Sequence, residues 1–151
     1  MKIPASRRRS FKAENVQDLI GYQLRRTQVS VFKKLGKIMA RNRIVPGHFS
    51  VLILIQLNPD RTQGWLSKAC RIDRSTMVPI IDQLEGQGLV KRLPNPNDQR
   101  AYRLRITAAG NRLIRQLGPK LQRYENRITR ALSNTECHQL LDLLRRLEGA
   151  S

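Results

Sequence analysis

The chain has 151 residues, enough for one domain with helical extensions around a buried core. Its hydrophobic share of 40% is ordinary for a folded chain and argues against wholesale disorder. The charge is far from ordinary: 29 Lys+Arg against 11 Asp+Glu give +18, a balance that calls for a polyanionic partner, nucleic acid ahead of an anionic membrane or a highly charged small molecule.

The basic excess has two centres. Residues 1–46 hold 12 Lys/Arg against two acids, and residues 61–112 hold ten against four. The N-terminal "MKIPASRRRSFKAE" has no apolar run behind its arginines, so it does not read as a secretory signal. Residues 1–12 read instead as a flexible basic arm, with "RRR" at positions 7–9. From Glu14 to Ala40 apolar residues recur at three- and four-residue steps (Val16, Leu19, Ile20, Leu24, Val31, Leu35, Ile38), which predicts a long amphipathic helix. That stripe is longer than a small domain needs for its own core, so part of it is expected to meet another chain.

"VPGHFSVLILIQLNPD" follows. Periodicity alone permits a buried strand or a buried helix over Ser50 to Leu57; the Pro-Gly start and Asn-Pro stop suit a short helix. The run Phe49 to Leu57 is too short to span a bilayer, and no membrane is expected. Thr62 can cap a short helix carrying Trp65, Leu66 and Ala69, and Asp73 can cap a second with Met77, Ile80, Ile81 and Leu84 inward. Two short helices joined by a brief turn form a helix-turn-helix signature. Pro79 lies inside the second helix and is expected to kink it.

"LVKRLPNPNDQRAYRLRIT", Leu89 to Thr107, reads as a hairpin with an extended basic tip. Tyr102, Leu104 and Ile106 alternate with Arg103 and Arg105, predicting a strand with an apolar side on the helices and a guanidinium side in water. "PNPNDQR" is expected to project as a loop, because its prolines lack donors. A projecting basic loop beside a helix-turn-helix is a wing. Beyond Thr107, a plausible N-cap, a long helix runs through Leu113, Leu117, Tyr124 and Leu132 with a kink at Gly118-Pro119. Ser133 and Glu136 then form a capping box before a last helix with Leu140, Leu141, Leu143, Leu144 and Leu147.

The segment "DRSTMVPIIDQLEGQGLVKRLPNPNDQRAYRLRITAAG", with helices before and after, resembles the MarR (multiple antibiotic resistance regulator) family of winged helix-turn-helix transcription factors. The resemblance rests on "DRST", "LEGQGLVKR", "NDQR" and "LRITAAG" in this order and spacing. It implies a mainly α fold with a small β-hairpin wing: residues 46–111 as the winged helix-turn-helix, residues 13–45 and 112–151 as a helical dimerisation region. It also implies a homodimer that binds an inverted-repeat operator in double-stranded DNA, usually as a repressor released by a small ligand. By motif, Arg74, Ser75 and Thr76 fall at the start of the recognition helix, and Arg100 falls on the wing arginine that enters the minor groove. Asp98 is expected to hold the wing by pairing with an arginine, and Pro79 departs from the commonest pattern of the recognition helix.

Physical chemistry supports the same residues. The helix start with the Ser75 and Thr76 hydroxyls suits phosphates and base edges, and arginine suits a narrow, strongly negative minor groove. Lys68, Arg71, Lys91 and Arg92 can neutralise phosphates, and Arg103 belongs to the same basic group. An enzyme finds no support: two histidines stand in no catalytic spacing, and there is no Gly-rich phosphate loop. No cofactor or metal is expected; Cys137-His138 has no further ligand cluster. Cys70 and Cys137 make no disulfide framework and suit a reducing cytosol, so the expected location is cytoplasmic and nucleoid-associated. The competing possibility is a non-specific, nucleoid-like basic coat protein. Charge on the first long helix exceeds what DNA proximity explains: it is either a solvated face that speeds DNA association or, as the resemblance also implies, a site for an anionic effector, an aromatic acid or its coenzyme A thioester, near Arg25, Arg26, Arg41, Arg43, His48 and Phe49.

Overall fold

A computed structural model describes residues 15–149, so the basic arm with its three arginines lies outside the described residues. A 3-10 turn at Val16–Asp18 leads into α1 (Ile20–Met39), α2 (Pro46–Leu57), α3 (Gln63–Cys70) and α4 (Arg74–Gly86). The hairpin strands β1 (Val90–Pro94) and β2 (Tyr102–Ile106) follow, then α5 (Ala108–Ile128) and α6 (Asn134–Gly149).

The first helix starts later than its apolar stripe predicts. The Asn15 side chain accepts from the Gln17 amide, which closes a 3-10 turn, and Leu19 is extended, so Val16 stands before the helix. At the other end a 3-10 turn over Ala40–Asn42 and a left-handed Arg43 (φ 53°) turn the chain into α2, whose first turn carries Pro46. The apolar run after Pro46 is a helix, with Phe49, Val51, Leu52 and Ile55 buried. It is apolar nearly all round because it is the central helix of the core.

Local side-chain chemistry sets the next boundaries. The Thr62 hydroxyl accepts from the Trp65 amide at 3.2 Å and caps α3. Asp73 occupies the N-cap position of α4 but makes no side-chain cap bond. The helix runs on through Pro79, which is exposed, so the carbonyl that loses its donor lies on the solvent side. Gly88 (φ +69°) turns the chain from α4 into β1. Thr107 accepts from Gly110 N at 3.1 Å and donates to Gly88 O at 2.6 Å, fixing the start of α5 against the base of the hairpin. α5 likewise continues past Pro119. The predicted capping box of α6 is formed: Glu136 accepts from Ser133 N at 2.7 Å, and Ser133 Oγ accepts from Glu136 N at 3.3 Å.

β1 and β2 pair antiparallel from Val90 opposite Ile106 to Pro94 opposite Tyr102. The segment before α3 adds a short third rung: Leu104 N donates to Arg61 O, and Asp60 N donates to Leu104 O. Leu104 thereby lies in the core among α2, α3 and α4 residues. Tyr102 departs from the predicted apolar side of its strand. It is 58% exposed: level with Pro94 at the last pair of the hairpin, it borders an open cleft beside α3 and α4.

α5 crosses α1, where buried Tyr124 donates its hydroxyl to Val31 O at 3.1 Å and lies under the Arg127 guanidinium. Among the described residues the apolar face of α6 is open: Leu140, Leu141, Leu143 and Leu144 are exposed, as are Ile20, Val29 and Phe32 on α1.

Candidate nucleic-acid interface

α4 buries Met77, Ile80, Ile81 and Leu84 and turns Arg74, Ser75, Thr76, Val78 and Pro79 outward. The Asp73 carboxylate makes no cap bond, and Thr76 N donates to the Asp73 carbonyl at 3.0 Å, so among the described residues the Arg74 and Ser75 amides are the ones left to an acceptor from outside. The Ser75 and Thr76 hydroxyls stand beside them.

The wing meets this helix start across a cleft of about 440 Å³ lined by Thr62, Gly64, Arg74, Asp98, Arg100 and Tyr102, among others. Two arginines separated by 26 positions in the chain thus share one concave surface. Gly64 borders the same surface, where a Cβ would lie in ordinary contact, 3.4 Å from Arg74 Nη2. The wing turn is held by backbone bonds to its own side chains. Asn95 Oδ1 accepts from Asn97 N at 3.1 Å, and Asp98 Oδ1 accepts from Arg100 N at 2.9 Å. Asp98 therefore shapes the wing through the Arg100 amide and not through an arginine side chain, which leaves the Arg100 guanidinium exposed.

Ion pairs divide the remaining cations. Arg92 points back at α4, where it bonds Asp82 at 2.6 Å and also Glu85. These two carboxylates hold its guanidinium even more firmly protonated than usual, against the opposing effect of burial. Arg71, left-handed at the end of α3 (φ 50°), reaches α6 and donates to Glu148 O at 2.6 Å. Arg105 binds Asp60 through both carboxylate oxygens, at 3.0 and 2.5 Å, and its hydrogen bonds hold the Asp60 carboxyl below the usual carboxylate range. Arg103 donates to Pro94 O at 3.2 Å. Among the described residues, Lys68, Arg74, Lys91 and Arg100 take part in none of the ion pairs and keep their charge for an external anion.

The residues expected around an effector are dispersed. Phe49 is 3% exposed and belongs to the core. Half-buried His48 has Nδ1 out of contact with water and with any hydrogen-bond partner, and burial pushes its pKa down. Arg25 lies over a shallow depression with Tyr22, Arg26 and Val29. Arg26 also lines a larger cleft of about 870 Å³, with Lys34, Arg127 and Arg130 from α1, α5 and the turn after it. Arg41 lines a second groove of about 630 Å³, with Lys37, Lys120, Arg123 and Arg127. The α5 cations were not among the expected residues. Their signal in the sequence was an arginine or lysine on the same helix side as Tyr124, legible only once Tyr124 was known to face α1. Arg43 is exposed at the α1–α2 corner, where its carbonyl accepts from Gln87 Nε2 at 2.8 Å. Among the described residues no cluster of His, Cys, Asp or Glu is placed to hold a metal, and no single helix is long and apolar enough to cross a membrane.

A helix-turn-helix whose outward helix shares a basic cleft with a hairpin wing defines a winged-helix DNA-binding protein. The sequence signature of the MarR family matches residues 44–102, and the chain belongs to that family: it is a transcriptional regulator that binds DNA. It is 33% identical over 129 residues to a protein assigned to transcriptional regulation of the hcr operon in Thauera aromatica, covering 85% of this chain and 78% of that one. Among solved structures it resembles the transcriptional repressor CouR bound to a 23-mer DNA duplex, with a TM-score of 0.83, 32% identity, and 91% and 98% of the two chains covered. It also resembles the PcaV regulator from Streptomyces coelicolor in complex with its natural ligand, with a TM-score of 0.83, 26% identity, and 93% and 99% covered.

Proposed function

We propose that the protein is a homodimeric repressor that occupies an inverted-repeat operator and is released by an anionic small molecule. Residues 13–45 and 112–151 form the dimerisation region, and residues 46–111 read DNA. Ser75 and Thr76 of α4 enter the major groove with Arg74 at its edge, Arg100 enters the flanking minor groove, and Lys68 and Lys91 neutralise phosphates. Arg71 and Arg92, held by carboxylates, act on the shape of the interface more than on its charge.

Dimerisation is supported by the uncovered leucines of α6 and the exposed apolar residues of α1. A surface of that composition on two helices is unfavourable in water and is buried well by a second copy. CouR, as a repressor bound to DNA, supports the direction of control, and PcaV, with its natural ligand, supports release by a small molecule.

The observation that carries the ligand reading is the groove between α1 and α5, where Lys37, Arg41, Lys120, Arg123 and Arg127 converge without a carboxylate partner among the described ion pairs. Like charges so placed repel one another until an anion joins them. An aromatic carboxylate satisfies one or two of them; a coenzyme A thioester, with several phosphates, satisfies more. A ligand that prefers a dimer shape with mis-spaced recognition helices weakens DNA binding by linkage, typically by about 1–3 kcal/mol. Calorimetry of the DNA-free protein with aromatic acids and their coenzyme A thioesters tests this. Saturable binding that weakens when Arg41 and Arg123 lose their charge supports the reading; no binding by any of them leaves the charge to solubility and long-range steering.

A further inference from the structure

The middle of α4 carries a residue that helix formation alone does not explain. Proline past the first turn of a helix removes a hydrogen bond and crowds the preceding turn, among the largest penalties a single residue imposes on a helix. Pro79 occupies such a position, and it is exposed, so among the described residues no packing offsets that penalty. Its neighbour Val78 is 42% exposed and also lies outside the core.

At about 100° per residue, Ser75, Pro79 and Asp82 follow one another along the centre of the outward face, with Val78 at its flank. The one charged group on that line, Asp82, is countered by Arg92 at 2.6 Å. The centre of α4 is therefore uncharged and dominated by C–H groups. In the major groove the only apolar group on a base edge is the C5 methyl of thymine. Cytosine at the same position offers only a C5–H where thymine carries the methyl, so the contact with the proline ring is lost.

We infer that Val78 and Pro79 are specificity-determining residues that select thymine at the operator position facing the middle of α4, by enclosing its methyl group. They act this way only with α4 in the major groove, as proposed above. Pro79 thus trades helix stability for a rigid apolar contact that an alanine is too small to make.

The test uses the full chain and the tightest-binding duplex selected from a random-sequence library, with each thymine replaced singly by deoxyuridine, which removes the methyl and nothing else. The expected result is one or two positions per half-site where affinity falls about three- to fivefold, the loss that goes with one buried methyl. In a Val78→Ser, Pro79→Ala double variant, thymine and deoxyuridine should bind equally there, measured at lowered salt if affinity is weak. Pro79→Ala alone should raise the melting temperature and reduce the thymine preference; a higher melting temperature with an unchanged preference assigns Pro79 to helix shape and overturns the inference. So does a deoxyuridine effect that survives in the double variant, because the contact then lies elsewhere. Arg74→Ala separates the remaining failures. If it weakens binding while every deoxyuridine is tolerated, the methyl contact is wrong and α4 is still in the groove. If neither changes affinity, α4 is not the reading helix.

Discussion

Arg92 on β1 lies 2.6 Å from the Asp82 carboxylate on α4, a bond that spans ten residues of chain and ties the wing strand to the second helix of the helix-turn-helix. Glu85 holds the same guanidinium and also accepts from the Arg92 backbone amide at 3.1 Å. A cation that the sequence places among the phosphate contacts is thus engaged inside the protein, next to Lys91, which is exposed and outside every ion pair.

The two neighbours should separate in experiment. Arg92→Ala is expected to lower the unfolding free energy by about 1–2 kcal/mol, because two part-exposed carboxylates lose their partner. The slope of log affinity against log salt should stay close to wild type. Lys91→Ala should leave stability nearly unchanged and make that slope shallower by about one unit. Denaturant titration and DNA binding at several salt concentrations check both.

Tyr124→Phe should cost about 1 kcal/mol, since it removes the bond to Val31 O between α5 and α1 while keeping the ring in the core. In urea unfolding the midpoint should fall with the slope unchanged, the mark of a lost interaction in an intact fold.

Gly110→Ala should be more damaging. A Cβ at this position runs into the Leu89 carbonyl and the Ile106 side chain, where the first turn of α5 touches the foot of the hairpin. Displacing backbone there is expected to cost about 1–3 kcal/mol and to lower the melting temperature.

What was legible in the sequence was what neighbouring residues decide. Thr62, Thr107 and the Ser133–Glu136 box each cap a helix start within three residues, and all three are formed. The hairpin, its alternating strand and the inward stripe of α4 follow from periods of two and 3.6 residues in the same way. Asp73 was legible as a position and not as a bond, because a cap also requires the side chain to turn toward the helix. The pairings of Arg71 with Glu148 and of Arg92 with Asp82 were not legible. A charge count gives the number of cations and cannot give which of them a distant carboxylate neutralises. Tyr102 was misplaced for a related reason: alternation gives the side of a strand, and whether that side meets packed helices or an open cleft is decided by the tertiary arrangement.

His48 gives the protein a pH dependence near neutrality. Burial favours its neutral form, so the folded state binds a proton less readily than the unfolded chain. Its contribution to stability is full above about pH 6.5 and declines as the pH falls from there toward the lower folded value. Asp60, with its carboxyl lowered by Arg105, keeps its contribution to more acid conditions and loses it as the pH falls below about 4. Thermal melts from about pH 8 to pH 3 should show two separate declines. His48→Gln should remove the upper one; Asp60→Asn should diminish the lower one, to which Glu136, lowered by its bonds from Ser133, also contributes.

If α4 and the wing read one operator together, hydroxyl-radical footprinting on a selected duplex will record both contacts. Two recognition helices in a two-fold dimer should protect two half-sites whose centres lie about one helical turn apart, roughly 10 bp, with outer protection in the minor groove from the wings. Arg100→Ala should lose that outer protection and weaken operator binding by about 1–3 kcal/mol, while the protection centred on α4 remains. Even coverage of any duplex, or a single protected half-site from a protein that sediments as a monomer, would rule out a dimer reading one operator with α4 and the wing.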